Sequence, residues 1–210
     1  MSYSVKEKFL TLQGEGRQAG RRAVFLRFAG CNLWTGREQD RATAICRFCD
    51  TDFVGMDGTD GGRYRDAAAL ASKVGALWGD DRAHAYVVCT GGEPLLQLDE
   101  PLIAALHAEG FEVAVETNGT IAAPAGLDWI CVSPKAGSAV VQRAGDELKL
   151  VWPQPGSDVE AMERWDFAYF LIQPMDDARG AANVRAAIDF ALARPLWRLS
   201  LQTHKALGLR

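Results

Sequence analysis

Short apolar runs recur along the chain, and nearly every run ends in a cluster of glycine, proline or polar residues. This pattern is typical of buried strands that are followed by loops. We predict seven strands, over residues 23–30, 85–92, 111–119, 128–134, 147–152, 168–174 and 197–203. Four stretches with helical spacing are interspersed among them, over residues 66–78, 99–109, 157–165 and 178–192. Apolar strands that alternate with helices predict an α/β protein with a mostly parallel sheet.

Two connections are too short for a normal crossover helix. Residues 120–127 and 136–146 are rich in glycine, proline and alanine, so the helical layer must be incomplete. A full (β/α) barrel takes about 250 residues, whereas this chain has 210. We therefore predict a single domain over residues 1–210: a truncated, incomplete (β/α) barrel with about six core parallel strands and a reduced set of helices. Residues 4–17 precede the first core strand and predict an appended β-hairpin or extended arm.

Charge and hydropathy exclude two classes of partner. Lysine and arginine number 23 against 27 acidic residues, which gives a net charge of -4 and no basic excess to neutralise phosphates. No apolar run approaches the roughly 20 residues that span a bilayer, and the first residues lack the order of a signal peptide. We expect a cytoplasmic protein that binds neither nucleic acid nor a membrane.

Five cysteines fall into two groups. Cys89 and Cys131 lie inside apolar runs and are expected in the core, because buried cysteine behaves as a small hydrophobe. Cys31, Cys46 and Cys49 lie together in one short stretch. In a reducing compartment such cysteines are ligands or nucleophiles, since disulfides are disfavoured there.

The spacing of these three cysteines limits what they can bind. A CxxC pair alone fits zinc, a redox dithiol or an iron–sulfur cluster. Three thiolates ligate three irons of a [4Fe–4S] cube and leave the fourth iron open, whereas a structural zinc site is normally closed by four ligands. A distant histidine can still complete a Cys3His zinc site. The candidates are His84, His107 and His204.

Polar residues and glycines follow nearly every predicted strand. The carboxyl ends of such strands meet at one edge, where ligands bind in barrels and open sheets. These residues are Cys31, Thr90, Gly91, Gly92, Glu93, Glu116, Asn118, Ser133, Lys135, Gln173 and His204. The GGEP run over residues 91–94 can admit a ligand and accept an ammonium group, or it can be an ordinary turn from strand to helix.

Arg27 is a lone charge in the middle of an apolar strand, where it needs an anion. A bound carboxylate can supply that anion through the guanidinium fork. An ion pair with Glu15 or another acid is the alternative. Lys149 and the acidic run over residues 57–66 are interpreted as solvated or structural.

Several motifs together resemble a known family. The Cys31-x14-Cys46-xx-Cys49 spacing, Phe48 before the last cysteine and the GGEP run resemble the radical S-adenosylmethionine (SAM) superfamily. The usual spacing there is CxxxCxxC, so the insertion over residues 32–45 is a departure. With QGEG (13–16), CDT (49–51), ETNG (116–119), SPK (133–135) and QTHK (202–205), the chain from about residue 10 to the C terminus resembles the 7-carboxy-7-deazaguanine synthases.

The resemblance implies a radical SAM lyase of queuosine precursor biosynthesis. Such an enzyme converts 6-carboxy-5,6,7,8-tetrahydropterin into 7-carboxy-7-deazaguanine with loss of ammonia, using a [4Fe–4S] cluster, SAM and Mg²⁺. It also implies a flavodoxin-like or other low-potential electron donor and a homodimer. The implied cluster ligands are Cys31, Cys46 and Cys49, and the implied magnesium ligand is Thr51. The implied SAM site comprises Phe48, Gly91, Gly92, Glu93, Glu116, Asn118, Ser133, Lys135 and Gln173.

For the substrate, the resemblance implies Gln13, Gly14, Glu15, Arg27, Thr90, His204 and Arg210. A carboxylate at Glu15 suits the amine and amide edge of a pterin, although the QGEG run also fits a plain hairpin turn. We expect His204 at the end of the last strand, with residues 205–210 folding over the opening. Asp50 either caps the next segment or binds the cofactor.

Two alternative functions remain open. A radical SAM activase of a glycyl-radical partner would be expected to have the shorter cysteine spacing and a large docking surface. A zinc-stabilised binding module would use the three-cysteine loop only as a scaffold.

Overall fold

A computed structural model describes residues 2–209 and contains one nine-stranded sheet. The strands are β1 (Tyr3–Leu12), β2 (Arg22–Phe28), β3 (Gly62–Tyr64), β4 (Tyr86–Gly91), β5 (Glu112–Thr117), β6 (Trp129–Val132), β7 (Ala144–Trp152), β8 (Asp166–Pro174) and β9 (Trp197–Leu199). Their order is β3-β1-β2-β4-β5-β6-β7-β8-β9. β1 pairs antiparallel with β2 and β3, whereas every neighbouring pair from β2 to β9 is parallel. β3 and β9 are edges, so the predicted open barrel and its N-terminal hairpin are confirmed.

Helices cover the outer face of this sheet only in part. They are α1 (Ala67–Trp78), α2 (Glu100–Ala108), α3 (Val159–Met162), α4 (Gly180–Ala193) and α5 (Thr203–Leu207). The side chains of Asp66, Asp99 and Asp158 cap α1, α2 and α3 by accepting a hydrogen bond from a backbone N–H of the first turn. Residues 120–127 and 136–146 contain no helix, as predicted. In the described part of the chain, every helix is too short or too polar to cross a membrane.

The core lies between the helices and the outer face of the sheet. α1 and α2 pack on β2, β4 and β5, and Cys89 is buried there as predicted. α4 packs on the far half of the sheet, against Leu148 and Leu150 of β7. Because side chains alternate along a strand, Glu147 and Lys149 point to the inner face instead. The inner face therefore carries these charged groups beside a smaller apolar cluster of Ala23, Tyr86, Val88 and Ala114, and the site forms on this face.

Two predicted elements differ from the structure, and one observed strand was not predicted. The third helix is reduced to the four residues of α3, and the three-residue β3 was not predicted. The last strand ends at Leu199, and His204 lies in α5 rather than at a strand end. The reason is tertiary: the Ser200 hydroxyl accepts from the Gly16 amide, and both the amide and the hydroxyl of Thr203 donate to the Gly14 carbonyl. These bonds pull the chain off the sheet towards the β1–β2 turn.

Candidate active site

A cavity of about 480 Å³ opens at the carboxyl ends of the parallel strands. Its wall includes the β1–β2 turn, the cysteine loop, the ends of β4 to β8, and α5. Nearly all the predicted site residues line it. They are Gln13, Gly14, Glu15, Arg27, Cys46, Phe48, Cys49, Thr51, Thr90, Gly91, Gly92, Glu116, Asn118, Ser133, Lys135, Gln173 and His204. Cys31 and Glu93 do not line it, and Arg210 lies outside the described residues.

The three cysteines of the loop are free thiols, and Cys46 is close enough to Cys31 and Cys49 to interact electrostatically with both. The Cys46 thiol donates to the Cys49 sulfur, and this bond lowers the pKa of Cys49 to about 6 although burial opposes it. The Leu33 amide donates to the Cys31 sulfur at 3.4 Å. Thiolate character at one cysteine and an amide donor at another fit the ligation of an iron–sulfur cluster.

Gly92 explains how Cys31 comes so close to the end of β4. A Cβ atom at Gly92 would collide with the Cys31 side chain and with the Gly30 carbonyl. Gly91 has a φ of 148° and lies against the backbone of Phe28, so no other residue fits there either. Both glycines therefore allow the start of the cysteine loop to lie close to the end of β4. Among the described residues, no three His, Cys, Asp or Glu side chains are grouped so as to hold a single metal ion.

The insertion over residues 32–45 is irregular apart from one 3-10 helix, Glu38–Thr43. Its anchor is Trp34, which packs edge-on against Phe53 with ring centroids 5.6 Å apart. The Arg41 guanidinium lies 4.0 Å from the Trp34 ring centroid and donates to the Arg47 and Cys49 carbonyls at 3.0 and 3.1 Å. The insertion therefore supports the CxxC segment through one arginine and one tryptophan.

Glu93 holds two strand ends together. Its carboxylate is fully buried and accepts hydrogen bonds from the Leu95 amide, the Thr117 hydroxyl and the Asn118 amide, at 2.9, 2.7 and 2.8 Å. Burial raises its pKa, although these donors oppose the shift. The carboxylate is directed at the protein, so the part of the GGEP run that faces the cavity is the Gly91–Gly92 backbone.

The residues of the predicted SAM site surround the cysteine loop. Lys135 donates to the Ser133 hydroxyl at 2.6 Å, and its ammonium lies 5.8 Å from the Phe48 ring centroid. The Asn118 amide donates to Asn32 of the insertion at 3.0 Å. The strand ends are thus linked directly to the cysteine loop by side-chain contacts.

The floor of the cavity is an ionic network that the sequence interpretation missed. Lys149 is buried, not solvated, and its ammonium lies 2.6 Å from Glu15 Oε2 and 3.4 Å from Glu116 Oε2. Burial alone would raise the pKa of Glu15, but the attraction and hydrogen bond of Lys149, together with bonds from glutamine side chains, lower it to about 2. Because Lys149 alternates with the buried Leu148 and Leu150, the sequence shows that this lysine faces away from those leucines, but it does not show that a cavity lies on that side.

Arg27 lies in the cavity wall and also forms an ion pair. Its Nε donates to Glu7 Oε1 at 2.9 Å, so the partner is neither Glu15 nor solvent. Both side chains are largely buried and line the cavity. The Nη groups of Arg27 take no part in that bond, which makes them the groups that can meet a bound carboxylate.

α5 closes one side of the cavity. The His204 ring packs so tightly on Gly14 that a Cβ atom there would collide with it. Lys205 donates to Asp50 Oδ2 at 2.6 Å and to Asp176 Oδ2 at 2.5 Å. Burial tends to raise the pKa of Asp50, but Lys205 lowers it below its usual value. Asp50 is therefore tied to α5 and does not act as a helix cap.

Comparison with known proteins identifies the class. The sequence pattern of the radical SAM superfamily matches residues 39–147. Curated 7-carboxy-7-deazaguanine synthases from Bradyrhizobium diazoefficiens and Caulobacter vibrioides are 63% and 62% identical to this chain, which covers 100% of each and is itself covered completely. The crystal structure of QueE from Escherichia coli superposes with a TM-score of 0.73 at 28% identity, covering 97% of this chain and 95% of that one.

The fold and the three-cysteine site therefore define a radical SAM enzyme. Within that superfamily, the chain belongs to the 7-carboxy-7-deazaguanine synthase family. The predicted family, enzyme class, [4Fe–4S] cluster and SAM are thereby confirmed. The glycyl-radical activase and the zinc-stabilised module receive no support from these matches. Magnesium, the electron donor and the homodimer remain predictions.

Proposed function

We propose that this chain is a radical SAM lyase that converts 6-carboxy-5,6,7,8-tetrahydropterin into 7-carboxy-7-deazaguanine with loss of ammonia, and that residues 1–210 form one catalytic domain. The observation that carries the proposal is a single cavity in which Cys46 and Cys49 of the cysteine loop face an acidic floor and a largely buried arginine. A small acidic heterocycle needs all three: a radical source, acceptors for its N–H groups and a cation for its carboxylate.

Cys31, Cys46 and Cys49 would hold the cluster, and their mutual proximity together with the lowered pKa of Cys49 fits that role. When bound, the cluster and SAM supply the radical that removes a hydrogen atom from the substrate. The Gly91–Gly92 backbone, Phe48 and the strand-end residues Glu116, Asn118, Ser133, Lys135 and Gln173 form the proposed SAM site. Glu93 positions two of those strand ends and does not itself line the cavity.

The substrate end of the cavity lies between the β1–β2 turn and α5. The Arg27 guanidinium binds the substrate carboxylate through its Nη groups, while Glu7 holds Nε. The Glu15 carboxylate accepts hydrogen bonds from the amine and amide edge of the pterin. Gln13, Gly14, Thr90 and His204 complete this proposed subsite, with Arg210 as a further ligand predicted from the sequence.

Magnesium and the partners belong to the same proposal. Thr51 follows the cysteine loop in the cavity wall, and its hydroxyl is a suitable oxygen ligand for Mg²⁺, which often keeps few protein ligands. We further propose a flavodoxin-like or other low-potential electron donor, a homodimer and a cytoplasmic location. Light scattering on the purified protein tests the dimer.

The test is turnover by protein that has been reconstituted anaerobically with iron and sulfide. With SAM, a reductant and the carboxylated tetrahydropterin, we expect 7-carboxy-7-deazaguanine and one ammonia per product, with SAM regenerated. Cys46→Ala protein carried through the same reconstitution is the matched control. Reconstituted protein that cleaves SAM but leaves the pterin unchanged would refute the substrate. Protein that loads zinc and no cluster would refute the whole assignment.

A further inference from the structure

Lys149 is a buried cation at the centre of the cavity floor. Its side chain is only 4% exposed, and its ammonium contacts the carboxylates of Glu15 and Glu116. Each carboxylate has a second partner on its other oxygen: Gln202 donates to Glu15 Oε1 and Gln13 donates to Glu116 Oε1, both at 2.8 Å. The result is a continuous chain of contacts from α5 to the end of β5.

The two acids that Lys149 contacts belong to different halves of the site. Glu15 lies in the turn that is proposed to bind the substrate, and Glu116 lies at a strand end that is proposed to bind SAM. Lys149, on β7, contacts both of them and so links the two halves. A cation buried at this point costs desolvation, so a position held only for packing would be served as well by an apolar side chain.

We propose that Lys149 is a positioning residue for the substrate: it holds the Glu15 carboxylate in the orientation that accepts hydrogen bonds from the nitrogen-rich edge of the pterin. The inference rests on the proposed function and adds a residue that the family resemblance did not supply. The geometry that carries it is the 2.6 Å contact to Glu15 Oε2, which fixes one oxygen while Gln202 fixes the other.

The charges around the floor explain why a cation is needed. Glu15 is surrounded by Glu116 from β5, Glu147 from β7 and Asp50 from the cysteine loop, and the Cys131 thiol of β6 lies beside Glu147. Burial disfavours the ionised form of Glu15, Asp50 adds electrostatic repulsion, and Lys149 reverses the effect. Without Lys149, the pKa of Glu15 should rise. A protonated Glu15 would direct its O–H towards the N–H groups of the pterin, so two hydrogen-bond donors would face each other.

The experiment measures equilibrium binding of the pterin to cluster-loaded protein with SAM present and no reductant, between about pH 6 and pH 9. Lys149→Met removes the ammonium group and keeps an unbranched chain as far as Cε, and Lys149→Arg keeps the charge. We expect Lys149→Met to weaken binding about 10- to 100-fold at pH 7, as for the loss of a charge-assisted hydrogen bond. Its affinity should then recover as the pH rises and Glu15 ionises, whereas wild-type affinity should stay nearly flat. Lys149→Arg should remain within a few-fold of wild type.

Glu15→Gln separates positioning from simple packing, because it makes the acceptor permanently neutral. We expect its binding to be weak at every pH, and Lys149→Met added to it should weaken binding little further. If Lys149→Met only lowers the melting temperature and binds the pterin with a flat, wild-type pH profile, Lys149 is structural and the inference is wrong. Should Lys149→Met fail to fold, Lys149→Gln takes its place in the same titration, since it can still hydrogen-bond both acids without a charge.

Failure of this inference is distinct from failure of the proposed function. Wild-type protein in the same preparation either converts the pterin or does not, and that result tests the function alone. The pH profile of binding in the Lys149 variants tests the inference alone.

Discussion

The floor of the cavity and the cysteine loop use opposite ways of holding functional groups. On the floor, Glu116 and Lys149 lie on strands, Glu15 lies in a tight turn, and each charge has a partner within the protein. In the cysteine loop, residues 31–53 contain only one short 3-10 helix of six residues, and most are exposed or half-buried. The floor is therefore held largely by the sheet, whereas the cysteine loop depends on a few side-chain contacts.

This difference indicates where each end gets its stability. Charged residues on strands are held in position by the hydrogen bonds between neighbouring strands, so they need no ligand to stay there. A loop with three free thiols gains its remaining order from metal binding, since the free energy of ligation is also free energy of folding for the segment that carries the ligands. Removing the cluster should loosen the loop and leave the floor intact, and the predictions below test that separation.

The largest effect is expected at the cofactor end. Cys31→Ala, Cys46→Ala or Cys49→Ala should each abolish cluster assembly and SAM cleavage, because no other thiol in the loop can replace the lost ligand. Iron and sulfide content, visible absorbance and SAM cleavage provide the measurements. Cys89→Ala is the matched control: it removes a buried core thiol of β4, so it should lower stability slightly and retain the cluster. Full activity in any of the three loop variants would overturn the cluster assignment.

A second prediction concerns the substrate end alone. Arg27→Lys keeps the charge but loses the fork, so it should raise the Michaelis constant for the pterin about 10- to 100-fold while the cluster assembles normally. Arg22→Lys on the same strand is the control, because Arg22 contacts Trp78 outside the cavity. An unchanged Michaelis constant together with a lower melting temperature would show that Arg27 serves only its ion pair with Glu7.

Much of this architecture could be predicted from the sequence because its signals are local. Strand periodicity, strand-end polar residues and the Cys31-x14-Cys46-xx-Cys49 spacing are each visible within a short window. Lys149 could not be placed in the same way, since its partners lie 134 and 33 residues away. Its alternation with leucines shows that it faces away from them, but only the tertiary fold shows that the cavity lies there.

The sequence also could not predict the direction in which a side chain points or the chain turns. Glu93 belongs to the predicted site by position, yet its carboxylate turns inward to the strand ends. Likewise, residues 197–203 alternate like a strand, but contacts between Thr203 and Gly14, 189 residues apart, redirect the chain into α5. Such long-range hydrogen bonds override a local preference and leave no mark in the nearby sequence.

A third prediction returns to the cysteine loop and has a smaller expected effect. Arg41→Lys loses the stacking on Trp34 and at least one of the two carbonyl contacts, so the CxxC segment should be held less firmly. We expect the cluster to assemble but to be lost to air several-fold faster, followed as decay of its visible absorbance. Arg37→Lys, at an exposed position of the same insertion, is the control. Pterin binding by the intact Arg41→Lys holoenzyme should stay near wild type, and a large loss there would mean that the two ends are not independent.

The smallest effect is expected at Lys205, which joins the two ends. Its ammonium bridges Asp50 of the cysteine loop and Asp176 beyond β8, but all three side chains are well exposed, and exposed ion pairs contribute about 0 to 1 kcal/mol each. Lys205→Met should therefore raise the Michaelis constant for the pterin only about two- to fivefold, through looser placement of His204 one residue earlier on α5. Because the attraction is screened by salt, the same increase should appear in wild-type enzyme as ionic strength rises and should be absent from the variant. A loss of more than a hundredfold, or loss of the cluster, would show that Lys205 carries a catalytic or ligand-binding role of its own and that the two ends are built as one unit.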